Sequence, residues 1–292
     1  MTALPSYAVV TPARNELANL GRLAGALRTQ RLRPDAWVIV DDGSDDGTAE
    51  LAAELAAAEP WIHGLTRAAD SSGTLTEGRR EGRDLIAFRL GVRSLPAPSD
   101  VVVKVDADLS FEPDYFERLM ERFHEDPQLG MAGGANHELE DGRWVRRRVM
   151  EGAVWGASRA YRWDCLDAVM TLEPRIGWDG LDEVRAQLRG WRTATFNDLP
   201  FLHHRPEHTR EPGRVRAHMA QGRAAWYMGY RPSYLALRTV YRSRQDPAVI
   251  GMAWGYVQAA AARDERFPEA DVRRVLRGRQ RLRRTLRRGA PR

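Results

Sequence analysis

Three short apolar runs, each stopped by polar or acidic residues, constrain this chain more than any other feature. Tyr7 to Thr11 is β-rich and leads into Pro12, Arg14 and Glu16; Trp37 to Val40 gives way to Asp41-Asp42; Val101 to Val105 gives way to Asp106-Ala107-Asp108. Helical segments separate the runs. Leu17, Leu20, Leu23, Ala24 and Leu27 recur at helical spacing, Thr48 to Ala58 is rich in Ala, Leu and Glu, and Leu85 to Leu95 is a third helical stretch. A further strand is expected near Ile62 to Arg67. Strand and helix alternate over about the first 125 residues, which argues for an α/β fold with a mostly parallel sheet covered on both faces. Ligands of such sheets bind beyond the carboxyl ends of the strands, where all three polar clusters fall.

The rest of the chain is less regular. Residues 70–84 are rich in Gly, Ser and charge and read as a loop, and a helix starts at Pro113 and runs through Asp114 to Phe123. Residues 130–200 hold a glycine cluster (Gly130, Gly133, Gly134), the arginines Arg146 to Arg148, and a helix near Asp182 to Arg189. Pro200 to Pro212 reads as loop with three histidines, and helix resumes at Arg214. The single cysteine, Cys165, excludes a disulfide framework and a cysteine-rich zinc module. No uncharged apolar stretch reaches the roughly 18 residues of a membrane span. Met1 to Tyr7 lack the basic start and apolar run of a signal peptide, so a cytoplasmic chain is expected.

Charge is distributed unevenly. The chain has a net charge of +5, yet residues 201–292 carry 21 Arg against 7 acids, while residues 1–200 carry 24 basic and 33 acidic groups. Lys104 is the one lysine. An acidic body suits a metal ion or a cationic group, and a basic tail suits an anionic surface.

Two carboxylates one residue apart at a strand end, as in Asp106-Ala107-Asp108, can both reach one hard cation. The same residues suit a solvated turn, and Asp41 to Gly47 equally reads as a turn followed by a helix cap. Context favours the cation, because every neighbouring strand end is polar too. The motifs Val9-Val-Thr-Pro-Ala-Arg-Asn-Glu16, Val38-Ile-Val-Asp-Asp-Gly-Ser-Asp-Asp-Gly-Thr48 and Val103-Lys-Val-Asp-Ala-Asp108 resemble, in order and spacing, the family 2 glycosyltransferases of the GT-A fold. The resemblance extends to about residue 205, so a GT-A catalytic domain is expected over residues 1–205 and a helical, Arg-rich extension over 206–292.

The resemblance implies an inverting transfer from a nucleotide-sugar donor, UDP-sugar by default, with Mg²⁺ or Mn²⁺. Carried over by position, Pro12, Ala13, Arg14 and Glu16 line the nucleotide pocket, and Asp41 and Asp42 contact the base, Asp42 being favoured. Asp106 sits by the ribose and metal, Asp108 ligates the metal, and Arg83 meets the diphosphate. One of His203 and His204 is expected at the metal or diphosphate. The family's carboxylate base stands about eleven residues before a Gly-aromatic pair; Gly190-Trp191 puts Asp179 in that register, although Trp178 occupies the position of an expected Glu. Asp182 and Glu183 follow on the same helical face and remain alternatives. A carboxylate suits the task, since it takes the acceptor hydroxyl's proton as that oxygen attacks the anomeric carbon.

The implied acceptor is a glycan or a lipid-linked intermediate of cell-surface polysaccharide or glycolipid synthesis. In the extension, Trp226, Tyr227, Tyr230, Tyr234 and Tyr241 among arginines suit a membrane interface. The uncharged run Ala248 to Ala262 has the length of a buried helix rather than of a span. Arg273 to Arg292 holds ten Arg and no acid and is expected to meet anionic lipid on the inner face of a membrane. No nucleic-acid motif accompanies these arginines. Two other classes fit these residues less well. A nucleotidyltransferase needs a Gly-rich phosphate loop with a Lys, which Thr11 to Glu16 lacks, and a non-catalytic adaptor is disfavoured by the presence of Asp106, Asp108 and Asp179.

Overall fold

A computed structural model describes residues 3–67, 82–149, 152–205, 214–244 and 246–280. The first block is the expected alternation: β1 (Tyr7–Ala13), α1 (Leu17–Arg28), β2 (Ala36–Asp41), α2 (Thr48–Ala58), β3 (Ile62–Thr66), α3 (Arg83–Arg93) and β4 (Val101–Val105). These four strands are parallel, in the order β3-β2-β1-β4. The chain winds outward from β1 to β3 and then returns to the other side of β1, so the order reverses between β1 and β4. A crevice opens at such a reversal, beyond the carboxyl ends of the two strands.

Strand alternation divides the apolar residues between two cores. Val9, Trp37, Ile39, Val101 and Val103 pack with Leu20, Leu23 and Leu27 of α1 on one face of the sheet. Val10, Val38, Val40 and Val102 pack with Leu85 and Phe88 of α3 on the other. Both faces are dry, which is why these strands read as continuous Val/Ile runs rather than alternating ones. Gly91 is required in α3, because a Cβ there would lie 2.3 Å from Cγ1 of Val10.

Beyond β4 come β5 (Leu109–Phe111), α4 (Tyr115–Glu125), β6 (Leu129–Glu140), β7 (Arg143–Arg146), β8 (Ser158–Arg162), α5 (Trp163–Val169), α6 (Trp178–Leu188) and β9 (Arg192–His203). The sheet continues β4-β8-β6-β9-β5, with β8 antiparallel to β4 and β6, and β9 parallel to β6. The glycine cluster lies within the twelve-residue strand β6. Gly134 is needed there, since a Cβ would stand 2.1 Å from the Leu199 carbonyl oxygen. Helix α6 begins four residues earlier than the sequence suggested, at Trp178 instead of Asp182, and α3 begins at Arg83. Residues 70–81 of the expected loop lie outside the described residues.

The extension is helical: α7 (Arg214–Tyr227), α8 (Pro232–Ser243), a 3-10 turn (Pro247–Val249), α9 (Ile250–Ala262) and α10 (Ala270–Arg279). Phe267, Val272 and Leu276 join the same buried cluster as Phe88 and Val184, so the helices share the core of the sheet rather than standing apart from it. Tyr227 is buried, and Trp226 and Tyr230 are packed against buried clusters, which corrects their expected place at a membrane surface. The arginines of α10 are also not uncompensated. Arg279 pairs with Glu183, Arg277 and Arg273 donate to the Gly229 and Phe267 carbonyls, and Arg274 pairs with Asp271. Residues 281–292 of the expected lipid-binding tail lie outside the described residues. No helix among the described residues is long and apolar enough to cross a membrane.

Candidate active site

The period of two in β4 explains the Asp-x-Asp motif. Val103, Val105, Ala107 and Leu109 all enter the first core, so Lys104, Asp106 and Asp108 are turned to the other side of the chain. The short strand β5 then runs antiparallel to β9 with Leu109 opposite His203. That register delivers the end of β9 to Asp108. His203 Nε2 lies 3.3 Å from Asp108 Oδ2, and Arg205 Nε lies 3.6 Å from the same oxygen. Arg205 also pairs with Glu16, from the loop after β1. Burial alone would raise the Asp108 carboxyl, but His203 and Arg205 outweigh it and hold the pKa below the usual value. Glu16 goes the other way: burial raises it, reinforced by the charges of Asp108 and Asp106.

The two histidines part company. His204 Nε2 lies 2.7 Å from the Ser110 hydroxyl and its ring meets Trp144 edge-on, so of the expected pair it is His203 that faces Asp108.

Asp106 leans toward the second face of the sheet. Lys104, buried to 3% exposure, donates to Asp106 Oδ1 and, at 3.1 Å, to the Gly156 carbonyl. Desolvation opposes the ammonium charge, yet the carboxylates of Asp106, Asp84 and Asp179 overcome it and raise the Lys104 pKa. Asp84, at the start of α3, accepts a 2.9 Å bond from the Trp178 indole, and its burial pushes its pKa up. Three carboxylates from three elements thus surround one ammonium.

Helix α6 supplies the third. Asp179 is half-buried in its first turn, and its carboxylate accepts no hydrogen bond among the described residues. Gly156 keeps it clear, because a Cβ at that position would be 3.0 Å from Asp179 Oδ2. The two alternatives are engaged. Asp182 is fully enclosed; Arg159 Nη1 donates to its oxygens at 2.8 and 2.9 Å and the Tyr161 hydroxyl at 2.6 Å. Glu183 accepts from Arg279 at 2.8 Å and from the Val154 amide at 3.2 Å. Both acids tie α6 to its surroundings and are turned away from solvent.

The loops after β1 and β2 zip together to form the other wall. The Asn15 amide donates to Ser44 Oγ at 2.9 Å, the Glu16 amide to Thr48 Oγ1 at 2.8 Å, and the Leu17 amide to Asp46 Oδ2 at 3.1 Å. Pro12 and Arg14 stand at the β1 end of that wall, while Ala13, expected there too, is buried in the first core. Asp41 is used inside its own turn, accepting from the Gly43 amide and the Ser44 hydroxyl. Asp42 instead accepts from Arg67 Nε at 2.6 Å, and its amide donates to the Ala13 carbonyl at 2.8 Å. Arg83 is buried at the N-terminus of α3, next to Asp84.

Residues 8–171 match the family described as Glycosyl transferase family 2. The chain belongs to that family. It is 35% identical over 112 residues to an undecaprenyl-phosphate mannosyltransferase of Micrococcus luteus, covering 38% of this chain and 42% of that protein. It is 34% identical over 115 residues to a polyprenol monophosphomannose synthase of Mycolicibacterium smegmatis, covering 39% of each. The chain therefore spans well under half the length of these curated relatives. Among solved structures, a Pyrobaculum calidifontis mannosyltransferase in complex with GDP-Man and Mn²⁺ superposes with TM-score 0.56 at 16% identity, over 94% of this chain and 79% of that one. The S. aureus TarS fragment in complex with UDP-GlcNAc gives TM-score 0.56 at 16% identity, over 76% and 66%. At these identities the structures establish a shared GT-A fold.

A family 2 transferase of this make-up fits a divalent cation only in part. Among the described residues no group of three or more His, Cys, Asp or Glu is placed to hold a metal. Asp108 and His203 offer one oxygen and one nitrogen, which suits an ion that takes its remaining ligands from phosphate and water. Sequence reasoning missed Lys104, Asp84 and Arg205 as partners in the site. Lys104 carried a signal, being the chain's one lysine and lying two residues before Asp106. Arg205 carried only its place after the histidines.

Proposed function

We propose that this transferase moves a hexose, with inversion, from a nucleoside diphosphate sugar to a lipid-linked acceptor, and that Asp179 is the base. The observation that carries this reading is the gathering of Glu16, before α1, Asp106 and Asp108, in the turn after β4, and Asp179, in α6, around one crevice, with Lys104, His203 and Arg205 among them. Arg14, just past β1, and Arg83, at the start of α3, are the further arginines proposed to meet the diphosphate, and Asp42 is the favoured contact for the base. A divalent cation, when bound, neutralises charge developing on the departing diphosphate; Asp108 and His203 would hold it, with Asp106 beside them.

The acceptor hydroxyl oxygen attacks the anomeric carbon as the bond from that carbon to the diphosphate breaks. The diphosphate leaves with the bonding pair, and Asp179 takes the hydroxyl proton. Of the three acids on α6, only Asp179 combines solvent access with a carboxylate that accepts no hydrogen bond among the described residues, which supports it over Asp182 and Glu183. A cavity of about 750 Å³ beside the turn into α6 supports an amphipathic acceptor, because Arg175, Arg216, Arg223, Asp264 and Glu265 line it together with Met219 and Tyr227.

The names of the two mannosyl-transferring relatives favour mannose, and favour a second reading in which the attacking oxygen belongs to a polyprenyl phosphate. A phosphate oxygen is already anionic and needs no base. Calorimetry with GDP-mannose and with UDP-hexoses, each with Mn²⁺ and with chelator, tests the donor; saturable binding of one of them is expected. Absence of binding to any nucleotide sugar would defeat the proposal.

A further inference from the structure

Helix α9 is held on one side and bare on the other. Met252, Tyr256 and Ala259 face inward, and the contact is close enough that a Cβ on Gly255 would lie 2.0 Å from the Met219 carbonyl oxygen. Ile250, Trp254 and Val257 face outward at 61%, 56% and 55% exposure. They recur at i, i+4 and i+7 and so form one stripe. The helix has no charged side chain, so nothing polar but Gln258 interrupts its surface. Surface helices of soluble proteins normally show their polar face to water; this one shows its apolar face. Leu237, Val240 and Tyr241 of α8 are exposed as well, as is Val215 of α7, whose carbonyl abuts Gly251.

We propose that this face seats on an anionic lipid bilayer, with α9 lying in the plane of the headgroup–acyl boundary. Charge decides the occupant. Residues 214–263 carry eight Arg against one acid and no Lys. Arg223 lies against α9 through Gln258, at 3.4 Å, and the exposed Arg263 closes the C-terminal end of the helix. An aliphatic and Trp stripe flanked by arginines is the pattern of an interfacial helix, and basic side chains near the surface add attraction to anionic headgroups. Thirteen residues of helix extend about 20 Å, too short to cross, so the helix lies on the bilayer. The inference goes beyond the proposed reaction and rests on the surface alone.

Co-sedimentation of the full chain with phosphatidylglycerol-containing vesicles tests it. The chain should pellet with these vesicles and much less with pure phosphatidylcholine, and salt should weaken binding without abolishing it. Replacing Ile250, Trp254 and Val257 together by Ser should lower vesicle affinity about tenfold or more, with thermal unfolding and nucleotide-sugar binding unchanged. Trp254→Phe should keep binding but lose most fluorescence quenching by brominated acyl chains. Equal binding by the triple variant overturns the proposal, as does a parent chain that stays in the supernatant. A lipid-free dimer that the triple variant dissolves assigns the face to a second copy instead. Vesicle binding without any sugar transfer would count against the proposed reaction and leave this surface standing.

Discussion

At the sheet's carboxyl edge the fold draws charges inward; on α8 and α9 it pushes apolar groups outward. Asp108, Lys104, Arg159 and Asp182 are all at most 7% exposed, while Ile250, Val240 and Trp254 exceed half exposure. Each arrangement is costly unless something compensates it. Buried charges need opposite charges and hydrogen bonds, and the crevice supplies them from five or more elements. An exposed apolar face has no such internal remedy, so its partner is sought outside the chain. A region whose polar groups are already satisfied is a structural core or a prepared site; a region whose apolar groups are not is a contact surface.

The most demanding test of the contrast lies within α6, where Asp179 and Asp182 stand one turn apart. Asp179→Asn should reduce transfer by about 10³-fold if the acceptor is a hydroxyl, with donor affinity unchanged in calorimetry. Full activity in that variant would favour a phosphate acceptor and remove the base from the reaction. Arg159→Met leaves Asp182 buried without its partner and should destabilise the fold by about 3–5 kcal/mol; denaturant unfolding reads this, and a loss below about 1 kcal/mol would mean that Asp182 is not held as an ion.

Asp108→Asn should weaken nucleotide-sugar binding in Mn²⁺ by about 10–100-fold while binding in chelator stays the same; an equal loss in both conditions would detach Asp108 from the cation. The pH dependence is subtler. Burial raises the Asp182 carboxyl from 3.8 to about 6, against the pull of Arg159 and Tyr161. Between those values the folded chain keeps a proton that the unfolded chain has released. Its contribution is therefore full below about pH 4 and is lost as pH rises through about 6. Asp182→Asn should lack that decline; identical slopes in both proteins would show the carboxylate ionised throughout. Glu183→Gln should cost least, about 1 kcal/mol, seen as earlier proteolysis within α10.

Much of the crevice was legible beforehand because parallel strands impose it. A run such as Val101 to Val105 can only be a buried strand, and residues just past its end then have one place to go. Asp106, Asp108 and Glu16 followed from that rule. The glycine cluster was not legible as a strand, because its cause is close approach by residues distant in sequence: Trp191 and Cys165 at Gly130, Ser158 and Val154 at Gly133, Leu199 and Tyr115 at Gly134. The division of labour among Asp179, Asp182 and Glu183 was not legible, because all three share a helix and differ only in what Arg159, Tyr161 and Arg279 do to them.

The order of strands, the acids at their ends and the family were written into local pattern, because hydrophobic period and chain connectivity are properties of the sequence itself. Which histidine meets Asp108, which carboxylate on α6 stays open, and which face of α9 meets water depend on register and on neighbours distant along the chain. Those contacts exist only once the sheet has closed and the helices have packed against it.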